Sequence, residues 1–190
     1  MSGLPVDVDI ASEFRYRAPP IPARTAAIFV SQSGETADTL AALRFCEGRA
    51  ATILSVINVE ESSIARESDL ALPIHAGVEI GVASTKAFTC QLVVLLLLAL
   101  KAAQDRQIIE ADRMTDTLSA LRGVPSLINT VLESNSDYER AALQLSHSDN
   151  ALFLGRGLMF PLAMEAALKL KEISYIHAEG YASGELKHGP

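Results

Sequence analysis

The stretch AAIFVSQSGETADTLAALR, residues 26–44, most restricts the possible folds because its apolar run stops abruptly at Ser31. A continuous apolar run such as Ala26–Val30 is typical of a strand covered on both faces of a parallel sheet. The apolar spacing from Thr36 to Cys46 predicts a helix. The stretch therefore predicts a buried strand, a loop rich in hydroxyl groups and a helix, in that order.

The same alternation continues along the chain and predicts an α/β fold. Further buried strands are predicted at residues 51–59 and 69–75, with a short helix at 62–67 between them. A long helix is predicted from Ser84 or Thr85, either of which can be its N-cap, to about Ala103. Strands that alternate with helices favour a parallel sheet with flanking helices.

The N-terminal residues and the second half of the chain carry weaker patterns. Residues 6–10 alternate apolar and acidic and predict a short strand, followed by a Pro-punctuated loop. Residues 104–148 predict connecting helices with a break at 123–125. A strand at 151–154, a GRG loop and a helix at about 161–176 then repeat the earlier order with little residue identity. The chain is predicted to hold two similar α/β units joined by helices.

Composition excludes several classes of function. A net charge of −7 over 190 residues argues against a nucleic-acid-binding surface, which needs a basic patch. The two cysteines lie in no CxxC or Cys/His cluster, so we expect no zinc site. We expect no other metal and no cofactor. The apolar run Gln91–Leu100 is about half the ~20 residues that span a bilayer, and a buried helix is expected there rather than a membrane partner.

The loop between the first strand and its helix has the chemistry of an anion site. Ser31, Ser33 and Thr36 supply hydroxyl donors, Gln32 supplies an amide, and Gly34 allows a tight turn. A helix start adds free N–H groups and a partial positive charge. The loop lacks the lysine of a Walker loop, which favours a single phosphate monoester over a nucleotide. The alternative is a plain capping box, with Ser33 or Thr36 as cap and Asp38 early in the helix.

A charged stripe marks the last predicted helix. Glu165, Lys169 and Glu172 are spaced i, i+4 and i+7, so they share one face of an otherwise apolar helix. This stripe either lines a polar pocket, where a carboxylate beside an ammonium can move protons, or forms two surface ion pairs. His188, in the polar segment after the helix, can titrate near neutral pH.

Three motifs in this order carry a resemblance to a known family. SQSGETADTL, GVASTKAF and EAALKLKEISYIHAEGYASGELKHGP resemble the isomerase half of the glutamine–fructose-6-phosphate aminotransferases (isomerizing), within the sugar isomerase (SIS) superfamily. The resemblance covers essentially the whole chain. It implies a flavodoxin-like three-layer αβα fold, an enzyme that converts fructose 6-phosphate to glucosamine 6-phosphate, a homodimer and a cytoplasmic location.

The resemblance also implies a role for each site residue. The phosphate would be bound by Ser31, Gln32, Ser33 and Thr36. Val82, through its backbone, and Ser84 would contact the sugar. Glu172 would move the proton between C1 and C2, and Lys169 would support the charge that develops on oxygen. His188 would assist ring opening from the neighbouring subunit.

The chain departs from this family at both ends. It resembles a first SIS unit without its first strand at residues 1–103, connecting helices at 104–148 and the start of a second unit at 149–190. The glutamine-hydrolysing domain of the family is absent from it. We therefore expect a fragment or a truncated reading of a longer gene, with weak or no catalysis and a tendency to associate through exposed strand edges.

Two alternatives remain at this point. The chain could be a non-catalytic SIS module that binds a sugar phosphate, or another SIS enzyme that isomerises or deglycates a different amino-sugar phosphate. A pure sensor needs the hydroxyl loop but not an acid–base group, so the joint presence of Lys169, Glu172 and His188 favours an enzyme.

Overall fold

Parallel pairs of short strands, connected through helices, organise both halves of the chain. A computed structural model describes residues 2–189. The chain divides into two compact units, one formed by residues 1–80 and 85–114 and the other by residues 81–84 and 115–190. The predicted α/β class, with parallel sheets and flanking helices, is confirmed.

The first unit contains a three-stranded parallel sheet in the order β1-β2-β3. Residue Val30 of β1 lies opposite Val56 of β2, and Leu54 of β2 lies opposite Leu70 of β3. Its elements are α1 (Ala11–Arg17), β1 (Ala26–Ser31), α2 (Ala37–Cys46), β2 (Thr52–Ile57), α3 (Ser63–Glu67), β3 (Leu70–Pro73) and α4 (Lys86–Asp105).

Helices cover β2 on both faces of this sheet. On one face, Ile53 and Ile57 pack with Leu43 of α2 and Ile64 of α3, all of them buried. On the other face, Val56 packs with Ala87 at the start of α4. Each strand alternates its side chains between the two faces, so α2 and α3 on one face and α4 on the other form the outer layers of a three-layer αβα unit.

The edge strand β1 is covered less completely than its apolar run predicts. Phe29 belongs to the buried core, but Ile28 and Val30, on the opposite face, are 43% and 41% exposed. Within residues 2–189, β1 pairs only with β2. The prediction of a strand buried on both faces is correct for β2 and wrong for β1.

The predicted strand at residues 6–10 is wrong. Val6 and Val8 are 75% and 93% exposed, so the alternating pattern has no apolar surface to cover. The carboxylate of Asp9 instead accepts a hydrogen bond from the N–H of Ile10, at the start of α1. It also forms an ion pair with Arg17, at the end of the same helix. The segment predicted as a loop thus forms a helix, which Phe14 anchors through an edge-on contact with the Phe45 ring at 5.7 Å.

The apolar helix α4 is the one helix in residues 2–189 that is long and apolar enough to cross a membrane. Length and composition alone are weak evidence, because core helices of soluble proteins pass the same test. Its buried residues are Ala87, Leu100 and Ala103, and most of its other side chains are half-buried. The prediction of a helix is correct, but the prediction that it is buried holds for only part of it, since three of its 20 residues are buried.

The second unit contains a two-stranded parallel sheet, in which Asn150 of β4 lies opposite His177 of β5. The predicted break at residues 123–125 is wrong, since one helix continues through Pro125. That helix has no buried residue, so water can satisfy the carbonyl that a proline leaves without a partner. Its elements are α5 (Ala111–Leu132), which begins in the first unit, α6 (Asn135–Leu145), β4 (Asn150–Gly155), α7 (Met159–Ser174), β5 (His177–Ala182) and a 3₁₀ turn (Ser183–Glu185).

Two glycines allow α7 to pack closely on this sheet. A Cβ on Gly155 would lie 2.1 Å from the carbonyl oxygen of Met159, and a Cβ on Gly180 would lie 2.7 Å from the Cα of Met164. Because backbone atoms are the obstacles, no side-chain rotation could relieve either clash. The close approach of helix to sheet therefore requires glycine at both positions.

We expect Gly155→Ala to lower the free energy of unfolding by about 3 kcal/mol, because the methyl group forces α7 away from β4. The matched control is Gly123→Ala, at a glycine within α5 where an added methyl group would meet no other atom within 4 Å. There alanine should stabilise by about 0.5–1 kcal/mol. Urea unfolding followed by circular dichroism measures both, and equal midpoints for the two variants would contradict the packing argument.

Candidate phosphate-binding loop and acid–base cluster

The hydroxyl-rich loop lies where β1 ends and α2 begins. Parallel strands of open α/β sheets commonly bind ligands beyond their carboxyl ends, and Ser31 is the last residue of β1. Of the four residues predicted to bind phosphate, Ser31 and Thr36 bring their hydroxyls within 3.3 Å of each other, and Gln32 and Ser33 lie between them in the loop. Ser31 is buried, whereas Thr36 is exposed.

Hydrogen bonds within the loop fix the oxygen atoms of its hydroxyl groups. The N–H of Gly34 donates to Ser31 Oγ at 3.1 Å, and the N–H of Glu35 donates to Ser33 Oγ at 3.2 Å. The hydroxyls of Ser31 and Thr36 lie 3.3 Å apart. A hydroxyl that accepts an N–H keeps its own proton for donation. The Ser33 O–H and one O–H of the Ser31–Thr36 pair are therefore available to an anion.

The capping-box alternative for this loop is wrong. Thr36 occupies the N-cap position of α2, but its side chain makes no capping hydrogen bond. Ser33 bonds the N–H of Glu35 rather than an N–H in the first turn of α2. The hydroxyls of Thr36 and Ser31, 3.3 Å apart, therefore lie at the start of α2 without capping it, and the positive end of the helix dipole there suits an anionic group.

The far side of the loop is attached to the start of α3. The N–H of Ile64 donates to the Gly34 carbonyl at 3.0 Å, and the N–H of Ser63 donates to Glu35 Oε1 at 2.6 Å. Gly34 has φ +67°, and a Cβ there would lie 1.9 Å from Ser62 Oγ. Only glycine fits this backbone conformation and this close contact.

The contact with α3 favours the ionised form of Glu35. The backbone N–H of Ser63, followed by its side chain, lowers the pKa of the Glu35 carboxyl below its ordinary value. A lowered pKa means that the contact is fully formed above the ordinary carboxyl pKa and is lost as the pH falls through the lowered value. Glu35 is therefore a bound carboxylate at neutral pH.

Gln32 faces an open depression beside the loop. The depression is also lined by Asn58, Glu60, His75 and Glu79. The N–H of Asn58 donates to the Gln32 carbonyl at 3.2 Å, and its side-chain amide bonds the backbone of residues 76 and 77. Asn58 thus joins the loop to the segment that follows β3.

The acidic and basic residues of the last helix meet in the second unit. Lys169 Nζ lies 3.0 Å from Glu165 Oε1 and 3.2 Å from Glu172 Oε2, so one ammonium bridges two carboxylates. These side chains are between 24% and 34% exposed. The two ion pairs of the surface interpretation are therefore formed, by side chains that are partly solvated.

Lys169 is held in its charged form within this cluster. Partial burial lowers the pKa of its ammonium, but hydrogen bonds and charge from Glu165 and Glu172 outweigh burial and raise the pKa above its ordinary value. One positive charge therefore lies between two carboxyl groups of α7. Such an arrangement can hold a carboxylate in place for proton transfer while an ammonium faces developing negative charge.

The remaining predicted site residues lie in other parts of the second unit. Val82 is 92% exposed, and Ser84 is half-buried two residues before α4. His188 is exposed just after the 3₁₀ turn, and its backbone N–H donates to the Glu185 carbonyl. Within residues 2–189, no hydrogen bond or ion pair joins its imidazole to Lys169 or Glu172.

Sequence reasoning misses one feature of the site. Glu35 looks like a spacer within the loop, although its contact with Ser63 fixes the loop on α3. The available signal is Ser62, a typical N-cap residue ahead of a short helix; its Oγ accepts the N–H of Ala65. Residues 2–189 contain no group of three His, Cys, Asp or Glu residues that could hold a metal ion.

Comparison with known proteins agrees with this geometry. The SIS domain family model matches residues 1–101 and 144–190. The glutamine–fructose-6-phosphate aminotransferase (isomerizing) of Mesorhizobium japonicum is 59% identical over 98% of this chain. The chain spans only 31% of that relative's length.

Solved structures give the same assignment. The C-terminal domain of glucosamine-fructose-6-phosphate aminotransferase from Francisella tularensis superimposes with a TM-score of 0.96 and 45% identity, over 100% of this chain and 54% of that one. Glucosamine-6-phosphate deaminase from Thermotoga maritima gives a TM-score of 0.73 and 28% identity over 95% of this chain and 53% of that one. By the family model, the chain belongs to the SIS domain family.

Proposed function

We propose that this chain is the sugar-phosphate-binding part of an isomerizing glutamine–fructose-6-phosphate aminotransferase. The observation that carries the proposal is the paired hydroxyls of Ser31 and Thr36, 3.3 Å apart at the start of α2, which no side chain caps; Ser33 lies in the same loop. The 59% identical Mesorhizobium relative bears that enzyme's name. In this function the loop and Gln32 bind the phosphate of fructose 6-phosphate.

The acid–base cluster supplies the chemistry of the proposed reaction. The Glu172 carboxylate removes a proton from C1 and returns it to C2, which turns the ketose skeleton into an aldose. The Lys169 ammonium stabilises the negative charge that develops on the sugar oxygen. Val82, through its backbone, and Ser84 contact the sugar, and His188 assists ring opening.

The proposal extends to the assembly and the cell. The chain acts in a homodimer in the cytoplasm, together with a glutamine-hydrolysing domain that supplies ammonia. The SIS units comprise residues 1–103 and 149–190, with connecting helices at 104–148. By itself the chain binds the sugar phosphate and catalyses weakly or not at all.

A non-catalytic sugar-phosphate-binding module is the less favoured alternative. Such a module needs the hydroxyl loop but has no use for an ammonium bridging two carboxylates. The half-buried cluster of Glu165, Lys169 and Glu172 therefore favours an enzyme.

The phosphate assignment predicts the effect of the double variant Ser33→Ala/Thr36→Ala. Loss of two hydroxyl donors should weaken fructose 6-phosphate binding to the chain at least about tenfold, because hydrogen bonds to charged groups are strong. Isothermal titration calorimetry measures the affinity. Thr130→Ala/Ser146→Ala, which removes two exposed helix hydroxyls, should leave it unchanged. Equal weakening of unphosphorylated fructose would contradict the assignment.

The role of Glu172 predicts a separation of binding from catalysis. A chimera in which this chain replaces the matching segment of the Mesorhizobium relative supplies the rest of that protein. Glu172→Gln should lower its isomerisation rate by about 10²- to 10⁴-fold while sugar-phosphate binding survives. Glu133→Gln, at an exposed carboxylate, is the control. Activity that persists in the Glu172 variant would show that another group is the base.

A further inference from the structure

A carboxylate lies beside the proposed phosphate-binding loop, where simple electrostatics would disfavour it. Glu35 follows Gly34 directly and precedes Thr36, the N-cap of α2. A negative charge this close to a bound phosphate repels it. Glu35 must therefore make favourable interactions that outweigh this repulsion.

The contacts of Glu35 supply that contribution. Its Oε1 accepts the N–H of Ser63 at 2.6 Å, while the carbonyl of the preceding Gly34 accepts the N–H of Ile64 at 3.0 Å. Two successive residues of the loop are thus bound to two successive residues of α3. The Ser63 contact and the charge of Arg66 favour the ionised carboxylate, so part of its charge is already compensated on the α3 side.

A second carboxylate gives a matched comparison at the other end of α3. Glu67 binds Arg44 of α2 through two hydrogen bonds of 2.6 and 2.7 Å. Both glutamates therefore hold the loop–α2 segment against α3. Only Glu35 is part of the loop itself, and its N–H fixes the Oγ of Ser33.

We propose that Glu35 is a positioning residue, which holds the hydroxyl loop in its phosphate-binding conformation by attaching it to the start of α3. Its carboxylate does not touch the ligand. Gly34 has a left-handed conformation that glycine adopts freely among several others, so the turn alone does not fix the loop, and the attachment to α3 selects this conformation. The inference rests on the proposed function.

The fraction of molecules whose loop is in the phosphate-binding conformation determines how much a Glu35 substitution weakens binding. When only a fraction of molecules holds the binding conformation, the apparent dissociation constant rises by the reciprocal of that fraction. Glu35→Ala should therefore weaken fructose 6-phosphate binding about tenfold, through loss of one charged hydrogen bond. Glu35→Gln keeps an oxygen that can accept the Ser63 N–H, so it should retain most of the affinity.

The direction of the change in affinity distinguishes a positioning role of Glu35 from a purely electrostatic one. If Glu35 acted only through its charge, both Glu35→Ala and Glu35→Gln would bind phosphate more tightly than the unchanged chain. The control Glu67→Ala removes an equal charge and the other contact with α3, and it should lower the unfolding midpoint but leave affinity unchanged. A structural role alone would instead weaken binding equally in Glu35→Ala and Glu67→Ala.

The experiment measures the binding of fructose 6-phosphate and of fructose to the 190-residue chain and its three variants by calorimetry. Amide hydrogen exchange at Ser63 and Ile64 gives a readout without ligand, and Glu35→Ala should accelerate it. Unchanged affinity or unchanged exchange in Glu35→Ala would overturn the inference while the proposed function stands. If the unchanged chain binds fructose 6-phosphate no better than fructose, the proposed function falls, and the inference falls with it.

Discussion

The contact of Gly34 with Ser62 is the constraint on which the candidate binding site depends. The loop backbone passes so close to the start of α3 that a methyl group at Gly34 would lie 1.9 Å from Ser62 Oγ. This approach lets α3 bind the Gly34 carbonyl and the Glu35 carboxylate. The loop is thereby held from outside, and the hydroxyl groups of Ser31 and Thr36 lie 3.3 Å apart at the start of α2 without capping it.

Close packing at glycine residues also determines the structure of the second unit. Gly155 and Gly180 bring α7 against the sheet, and the same helix carries the bridged cluster of Glu165, Lys169 and Glu172. Packing sets where α7 lies, and its helical spacing sets which side chains meet. Both candidate sites therefore depend on helices that glycine residues allow to approach a neighbouring backbone.

Local pattern predicts most of the fold but fails where tertiary contacts decide. Strands β1 and β2 follow from continuous apolar runs, and the helix ending at Cys46 follows from its apolar spacing. Strand β5 is missed because Gly180 and its polar neighbours are typical of a loop. In the structure, glycine is required at this position because α7 packs closely on the strand. Residues 6–10 look like a strand but have no partner to pair with. Glu35 is missed because its partner, Ser63, lies 28 residues away.

The central claim is that the start of α2 and its loop form the phosphate site, and titration of the ¹⁵N-labelled chain with inorganic phosphate tests it most directly. Amide chemical shifts in NMR spectra report which backbone N–H groups meet the anion. The account predicts saturable shifts concentrated in residues 31–39, with little change in α5 and α6. Saturation confined to other residues, or no saturable change at the start of α2, would contradict it.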